Sequence, residues 1–275
     1  MTPIEAIRMA FERLERFVSH ILPDQSPPSP IAAMELSSAH GEYARRVERS
    51  GGQFVFDPGI AVRGRCAVVF DRDDTLLNTT ARTRLTEYKG DLVHPVDVEL
   101  LCGVAATLRE ITERGWLILV VSNQGGVARG ATNLRGVERI NDCMRSLLPP
   151  RTLAGIYFCP YHPHPGANGL AEFTAEHPWR KPGGAMVAAA LREHDVHPAN
   201  AWAVGDKWRD VAAAVHAGVP ASQCVLLNTT GEHGAALDAT MVGGDVAAKV
   251  HLLPDVRGLP ELLGLGAAAR LERTP

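Results

Sequence analysis

A doubly wound, Rossmann-like α/β fold built on a parallel sheet is predicted by three features of the 275-residue sequence. Short apolar runs alternate with segments of helical periodicity. The runs are apolar at nearly every position, as strands covered on both faces must be. Each run also gives way at its C-terminal end to small, polar or charged residues, on the edge where an open parallel sheet binds ligands.

Taken in order, residues 2–22 read as a helix. Thr2 can cap it, Pro3 suits the first helical position, and Glu5 falls three residues after the cap. Ile4, Ile7, Phe11, Leu14, Val18 and Ile21 make one narrow apolar seam. That seam either docks on the chain's own domain, leaving a monomer, or pairs two copies into a homodimer; three heptads are marginal for the second. Pro23 to Pro30 reads as a linker, and residues 31–60 show little periodicity. The expected organisation is an N-terminal helical extension and linker over 1–60, then one α/β domain over 61–275.

The first strand is Ala67 to Phe70, followed by Asp71, Asp73 and Asp74. Three acids within four residues repel one another, which points to a bound cation or a proton-transfer task, the alternative being a plain acidic turn. Val98 to Arg114 has helical periodicity and stops at Gly115, where a C′ glycine belongs. Trp116 to Val121 is the second strand, ending in Ser122, Asn123, Gln124 and a pair of glycines. Then come a helix at Val137 to Leu148, a strand at Ile156 to Phe158, a helix at Ala185 to His194 and a strand at Ala201 to Val204. A helix at Val211 to Ala217, a strand at Val225 to Leu227, an edge strand at Val250 to Leu253 and a helix at Leu259 to Leu265 close the domain. The interval from Asp71 to Ser122 holds a helix and a loop but no inserted cap domain.

Composition narrows the function. A formal net charge of -3 gives no basic footprint for nucleic acid. No apolar run is long enough to span a bilayer, and Glu and Arg interrupt the apolar N-terminus, unlike a secretory signal, so a cytoplasmic protein is expected. The five cysteines are odd in number and scattered, as reduced thiols would be.

Each strand-end residue has a plain explanation by itself: Ser122 and Asp206 as helix caps, Lys181 as a solvated charge. Together and in this order, Asp71-Arg72-Asp73-Asp74-Thr75-Leu76, Ser122-Asn123-Gln124, Arg180-Lys181-Pro182 and Val204-Gly205-Asp206-Lys207 resemble the four motifs of the haloacid dehalogenase superfamily. With Val127-Ala128-Arg129-Gly130 and Cys159-Pro160-Tyr161-His162-Pro163 they resemble its capless branch of D,D-heptose 1,7-bisphosphate and histidinol phosphatases. The resemblance runs from about Ala67 to Leu263.

It implies a Mg²⁺-dependent phosphatase. Asp71 would attack phosphorus and form an aspartyl-phosphate, and Asp73 would serve as general acid and then base. Ser122 and Lys181 would steady the phosphoryl oxygens. Asp71, Asp206 and the Asp73 backbone carbonyl would hold Mg²⁺, with Asp210 behind them. Asn123, Gln124, Arg129 and Arg180 would line the substrate pocket, and Lys207 would assist at the metal edge. The small phosphorylated substrate would be a sugar bisphosphate such as D-glycero-D-manno-heptose 1,7-bisphosphate, or histidinol phosphate, selected by the Gly166 to Pro178 loop and by residues 78–97, including Tyr88, Lys89 and His94. A non-catalytic binding or scaffold module is the rival class.

Two departures stand out. Asp74 occupies a position usually held by glycine and adds a charge beside the metal. Where relatives hold structural Zn²⁺ with Cys-x-His and Cys-x-Cys pairs, this chain has Cys159, Tyr161, His177 and Trp179. Zinc needs a closed tetrahedral set, so a metal-free loop stiffened by prolines and Trp179 is expected. The alternative is a site rebuilt from Cys159, His162 or His164, and His177.

Overall fold

Six parallel strands organise the computed structural model, which describes residues 64–164, 169–228 and 242–265. The strands are β1 (Ala67–Phe70), β2 (Leu117–Asn123), β3 (Gly155–Cys159), β4 (Ala201–Gly205), β5 (Cys224–Leu227) and β6 (His251–Leu253). The helices are α1 (Thr79–Thr83), α2 (Val104–Glu113), α3 (Leu134–Ser146), α4 (Ala185–Glu193), α5 (Trp208–His216), α6 (Gly244–Ala247) and α7 (Leu259–Leu262). The expected N-terminal helix and linker, and residues 166–168 of the expected selectivity loop, lie outside the described residues.

The strand order is β3-β2-β1-β4-β5-β6. The chain winds outward from β1 through β2 to β3, then returns to the other side of β1 at β4. The reversal opens a crevice between the C-terminal ends of β1 and β4, the place where open α/β sheets bind ligands. Asp71 sits at that point, its backbone N–H donating to the Val204 carbonyl at 2.9 Å.

Strand alternation divides the core. Ala67 and Val69 face one way, with Leu119, Val121 and Tyr157, against α4 and α5. Val68 and Phe70 face the other way, with Ile118, Val120 and Ile156, against α2 and α3. Both faces of the sheet are covered, which is why its strands are apolar at successive positions.

Three element boundaries differ from the expectation for local reasons. The helix expected from Val98 begins at Val104, because Gly103 takes a left-handed φ of 83°. Residues 99–101 instead run antiparallel to the segment after Asp74: the Asn78 N–H donates to the Glu99 carbonyl and the Leu101 N–H to the Leu76 carbonyl, each at 2.9 Å. Helix α3 starts three residues early, at Leu134, because Asn133 accepts from the Gly136 N–H. Helix α5 also starts early, at Trp208, with Asp210 accepting the Lys207 N–H at 3.1 Å. The short helices α1 and α6 were not foreseen. Between β1 and β2 the chain holds only α1, a 3₁₀ turn and α2, so no cap domain interrupts it.

Candidate active site

Lys181 is the hub of the crevice. Its ammonium donates to Asp71 Oδ1 at 2.6 Å and to the Val121 carbonyl at 2.9 Å, and it pairs with Asp210 Oδ1 at 2.7 Å. All three side chains are buried. Burial, the largest influence on Lys181, disfavours its charged form, but Asp210 and Asp71 overturn that and hold its pKa up. Lys181 leaves Asp71 short of positive charge, although Lys207 pairs with Asp206 and the Arg209 guanidinium acts on Asp210. Burial pushes the Asp71 carboxyl up to about 7; Lys181 opposes the rise, and Asp210, Asp206 and Asp73 add to it.

The missing positive charge has a place to sit. Donor atoms of Asp71, Asp206 and Asp210 lie within 4.8 Å of one another, the one such acid, His or Cys cluster among the described residues. Asp206 Oδ2 is taken by Lys207 Nζ at 2.5 Å, whereas Asp206 Oδ1 is buried with no hydrogen-bond partner. An orphaned carboxylate oxygen in an all-oxygen cluster fits a hard divalent cation. Burial and then Asp210 raise the Asp206 pKa, so the site without its cation is poorly suited to full ionisation. Asp210 has both oxygens engaged, one with Lys181 and one with the Lys207 N–H.

Asp73 stands apart from that cluster in a network of donors. Oδ1 accepts from Thr79 Oγ1 at 2.7 Å; Oδ2 accepts from Gln124 Nε2 at 2.8 Å and Ser122 Oγ at 3.2 Å. The Arg72 guanidinium adds an ion pair at 3.0 Å and is itself held by Asn141 Oδ1 at 2.8 Å. Burial would raise the Asp73 pKa, but Arg72 and the hydrogen bonds from Thr79, Arg72 and Gln124 bring it below the usual carboxylate value. Asp74 faces elsewhere. At φ 58° it occupies the left-handed region that glycine favours, and its carboxylate accepts from the Thr80 N–H at 2.8 Å and Thr80 Oγ1 at 2.6 Å. The extra acid therefore fastens the start of α1, while its charge still contributes to the raised Asp206 pKa.

The pocket residues divide. Asn123 spends its amide on the Lys181 peptide, donating to the carbonyl and accepting from the N–H, each at 2.9 Å. Gln124 donates to Asp73 and Ser122. Both were expected to touch substrate; in this structure they brace Lys181 and Asp73. Arg129 and Arg180 converge: a Cβ built on Gly125 would lie 2.9 Å from Arg129 Nη1, 3.3 Å from Arg180 Nη1 and 2.8 Å from His162 Cδ2. Arg180 Nη1 also donates to the Tyr161 carbonyl at 3.1 Å.

The loop that the resemblance associates with zinc does not fit that metal. Cys159, His162, His164 and His177 form no cluster of metal-ligand dimensions. Burial pushes the Cys159 thiol up to about 12. Tyr161 instead stacks on His177, with ring centres 4.3 Å apart and planes 9° from parallel, and meets Phe173 edge-on at 5.5 Å. Trp179 is 2% exposed and packs near Tyr157. Sequence reading did not single out Arg72, Thr79, Asn141 or Asp91, though Thr79 and Asp91 fall within the segment 78–97 expected to select substrate; their partners lie far along the chain or are set by side-chain packing, and Arg72, written between two acids, was the one visible signal.

Comparison with known proteins agrees with this geometry. A HAD-hydrolase-like family model matches residues 178–257. The chain is 32% identical over 160 residues to the D-glycero-β-D-manno-heptose-1,7-bisphosphate 7-phosphatase of Haemophilus ducreyi, covering 57% of this chain and 80% of that protein. It is 33% identical over 156 residues to the enzyme of the same name from Escherichia coli K12, covering 56% and 75%. A HAD-like phosphatase from Mesorhizobium loti shares the fold with a TM-score of 0.56 at 24% identity, over 78% of this chain and 89% of that one. The D,D-heptose 1,7-bisphosphate phosphatase of B. bronchiseptica, solved with magnesium and phosphate, does so with a TM-score of 0.52 at 23% identity, over 72% and 97%. The chain belongs to the HAD-like hydrolases, in the family of the heptose-1,7-bisphosphate phosphatases.

Proposed function

We propose that this protein is a Mg²⁺-dependent phosphatase that hydrolyses a sugar phosphate or bisphosphate, with D-glycero-D-manno-heptose 1,7-bisphosphate as the leading substrate. The observation that carries the reading is the ionic cluster at the crevice: Asp71 bonded to Lys181, with the Asp206 Oδ1 oxygen buried and unpartnered beside it. A scaffold module would have no use for two buried acids sharing one ammonium with a third carboxylate beside them, an arrangement costly to fold.

Asp71, Asp206 and the Asp73 carbonyl would hold the cation, with Asp210 keeping Lys181 and the α5 N-terminus in place. Bound there, Mg²⁺ supplies the positive charge that lets a phosphate dianion approach a carboxylate. Asp71 then attacks phosphorus as the sugar alkoxide departs, and Lys181 balances charge on the transferring oxygens. Asp73 gives its proton to the leaving oxygen and later takes one from the water that opens the aspartyl-phosphate. Arg72 and Thr79 hold its carboxylate toward Gln124 and Ser122 in the free protein. Asp73 must therefore take its proton from solvent as the substrate dianion binds beside it. Ser122 turns its hydroxyl from Asp73 to a phosphoryl oxygen.

The test is release of phosphate from D-glycero-D-manno-heptose 1,7-bisphosphate by wild type, Asp71→Asn and Asp206→Asn, with Mg²⁺ and with chelator. Wild type should turn over only with the cation, and Asp71→Asn should lose at least about a thousandfold, as removal of a covalent nucleophile does. Equal rates for wild type and Asp71→Asn would overturn the reading.

A further inference from the structure

Beside the crevice lies a second, open cavity of about 540 Å³, lined by Glu87, Tyr88, Lys89, Asp91 and Arg129 among others. Two of its lining side chains lie against the glycine pair that follows Gln124. The Asp91 carboxylate rests on Gly126, where a Cβ would come within 3.0 Å of its Cγ, and Arg129 Nη1 rests on Gly125. Asp91 and Arg129 are locked together: Nη2 of the arginine meets Oδ1 at 2.8 Å and Oδ2 at 2.6 Å. The Asp91 side chain is 14% exposed and that of Arg129 is 36% exposed, so water weakens the pair without dissolving it.

This changes what the cavity can hold. Arg129 alone beside Arg180 would present two guanidinium groups to a substrate's far end and would favour an anion. With Asp91 closed on Arg129, and with Glu87 and Lys89 both on the wall, acids and bases lining the cavity are equal in number. A second phosphate entering it meets a carboxylate at the same guanidinium that would bind it. A hydroxyl-bearing sugar end meets both donors and acceptors and no net repulsion.

We propose that Asp91 is a specificity-determining residue: it offsets Arg129 and lowers the preference of the distal cavity for a second phosphate relative to a neutral, hydroxyl-bearing sugar end. The proposal rests on the reading of the crevice as a sugar-phosphate phosphatase and concerns the opposite end of the same substrate.

The test compares the 1,7-bisphosphate and the 7-phosphate of D-glycero-D-manno-heptose, which share a scissile group and differ at the distal end. Asp91→Asn keeps an acceptor for Arg129 and removes the charge. It should raise the ratio of kcat/KM for the bisphosphate over the monophosphate by about five- to tenfold, the order expected for removing one nearby like charge. Asp91→Ala should raise it as well. An unchanged or lowered ratio in Asp91→Asn would overturn the proposal, since it would mean that Asp91 merely aims Arg129 at a phosphate or does nothing for selection. If wild type hydrolyses neither sugar, the phosphatase reading fails. Calorimetric affinities of the two sugars for wild type and Asp91→Asn then decide the role of Asp91 by the same ratio.

Discussion

Asp71, Asp73 and Asp74 are near neighbours in the chain, yet the fold gives each a different environment. Asp71 faces Lys181 and the acid cluster, Asp73 faces Arg72 and Gln124, and Asp74 turns back to Thr80. Because Asp74 sits at φ 58°, Asp74→Ala should lose both the hydrogen bonds to Thr80 and the tolerance of aspartate for this backbone. A loss of about 2 kcal/mol in denaturant unfolding is expected, with less for Asp74→Gly, which relieves the backbone. The raised Asp71 carboxyl has a different consequence. Below its pKa of about 7 the group holds a proton that a cation must displace. Cation affinity should therefore fall by up to about tenfold per pH unit as pH drops below that value, with protons released on binding. Calorimetry in buffers of different ionisation enthalpy would read this; affinity flat from about pH 5.5 to 7 would contradict it. Asp71, Lys181 and Asp206 were legible in the sequence because each follows an apolar run or a recognisable motif. Asp91 was not, because nothing near it in the chain announces that it meets Arg129.

At the scale of elements, periodicity located every strand and mislaid several ends. Val98 to Leu101 carries helix-like spacing, but its carbonyls and amides pair with residues 76–78, and Gly103 delays α2 until Val104. Helix caps supplied by side chains at Asn133 and Asp210 extended two other helices beyond their apolar stripe. In the loop after β3, where the resemblance implied zinc, ring contacts fill the space. Tyr161 stacks on His177 and its carbonyl takes Arg180, so the ring contact and the guanidinium share one anchor. Tyr161→Ala should raise KM several-fold with a smaller change in kcat, and Tyr161→Phe should restore it, since the stack needs the ring and not the hydroxyl. Elemental analysis should find far less than one zinc per chain; one zinc per chain, or a Tyr161→Phe variant as impaired as Tyr161→Ala, would contradict the stack as the loop's support.

For the whole molecule, topology does what no single motif can. Asp71, Ser122, Lys181 and Asp206 span more than half the described chain, and the reversal of strand order at β1 and β4 brings the ends of their strands to one crevice. The fold class followed from alternation alone, because strands buried on both faces demand helices on both sides. What alternation could not supply was which charges would touch, since that depends on side chains meeting across the crevice. Among the described residues no helix is long and apolar enough to cross a membrane. The central claim is that the crevice works through a covalent step at Asp71. Acid quenching during turnover of D-glycero-D-manno-heptose 1,7-bisphosphate with Mg²⁺, followed by peptide mass spectrometry, tests it most directly. One phosphoryl group is expected on Asp71, labile to hydroxylamine and absent from Asp71→Asn; turnover with that residue unmodified, or with the phosphoryl group on another side chain, would contradict a covalent step there.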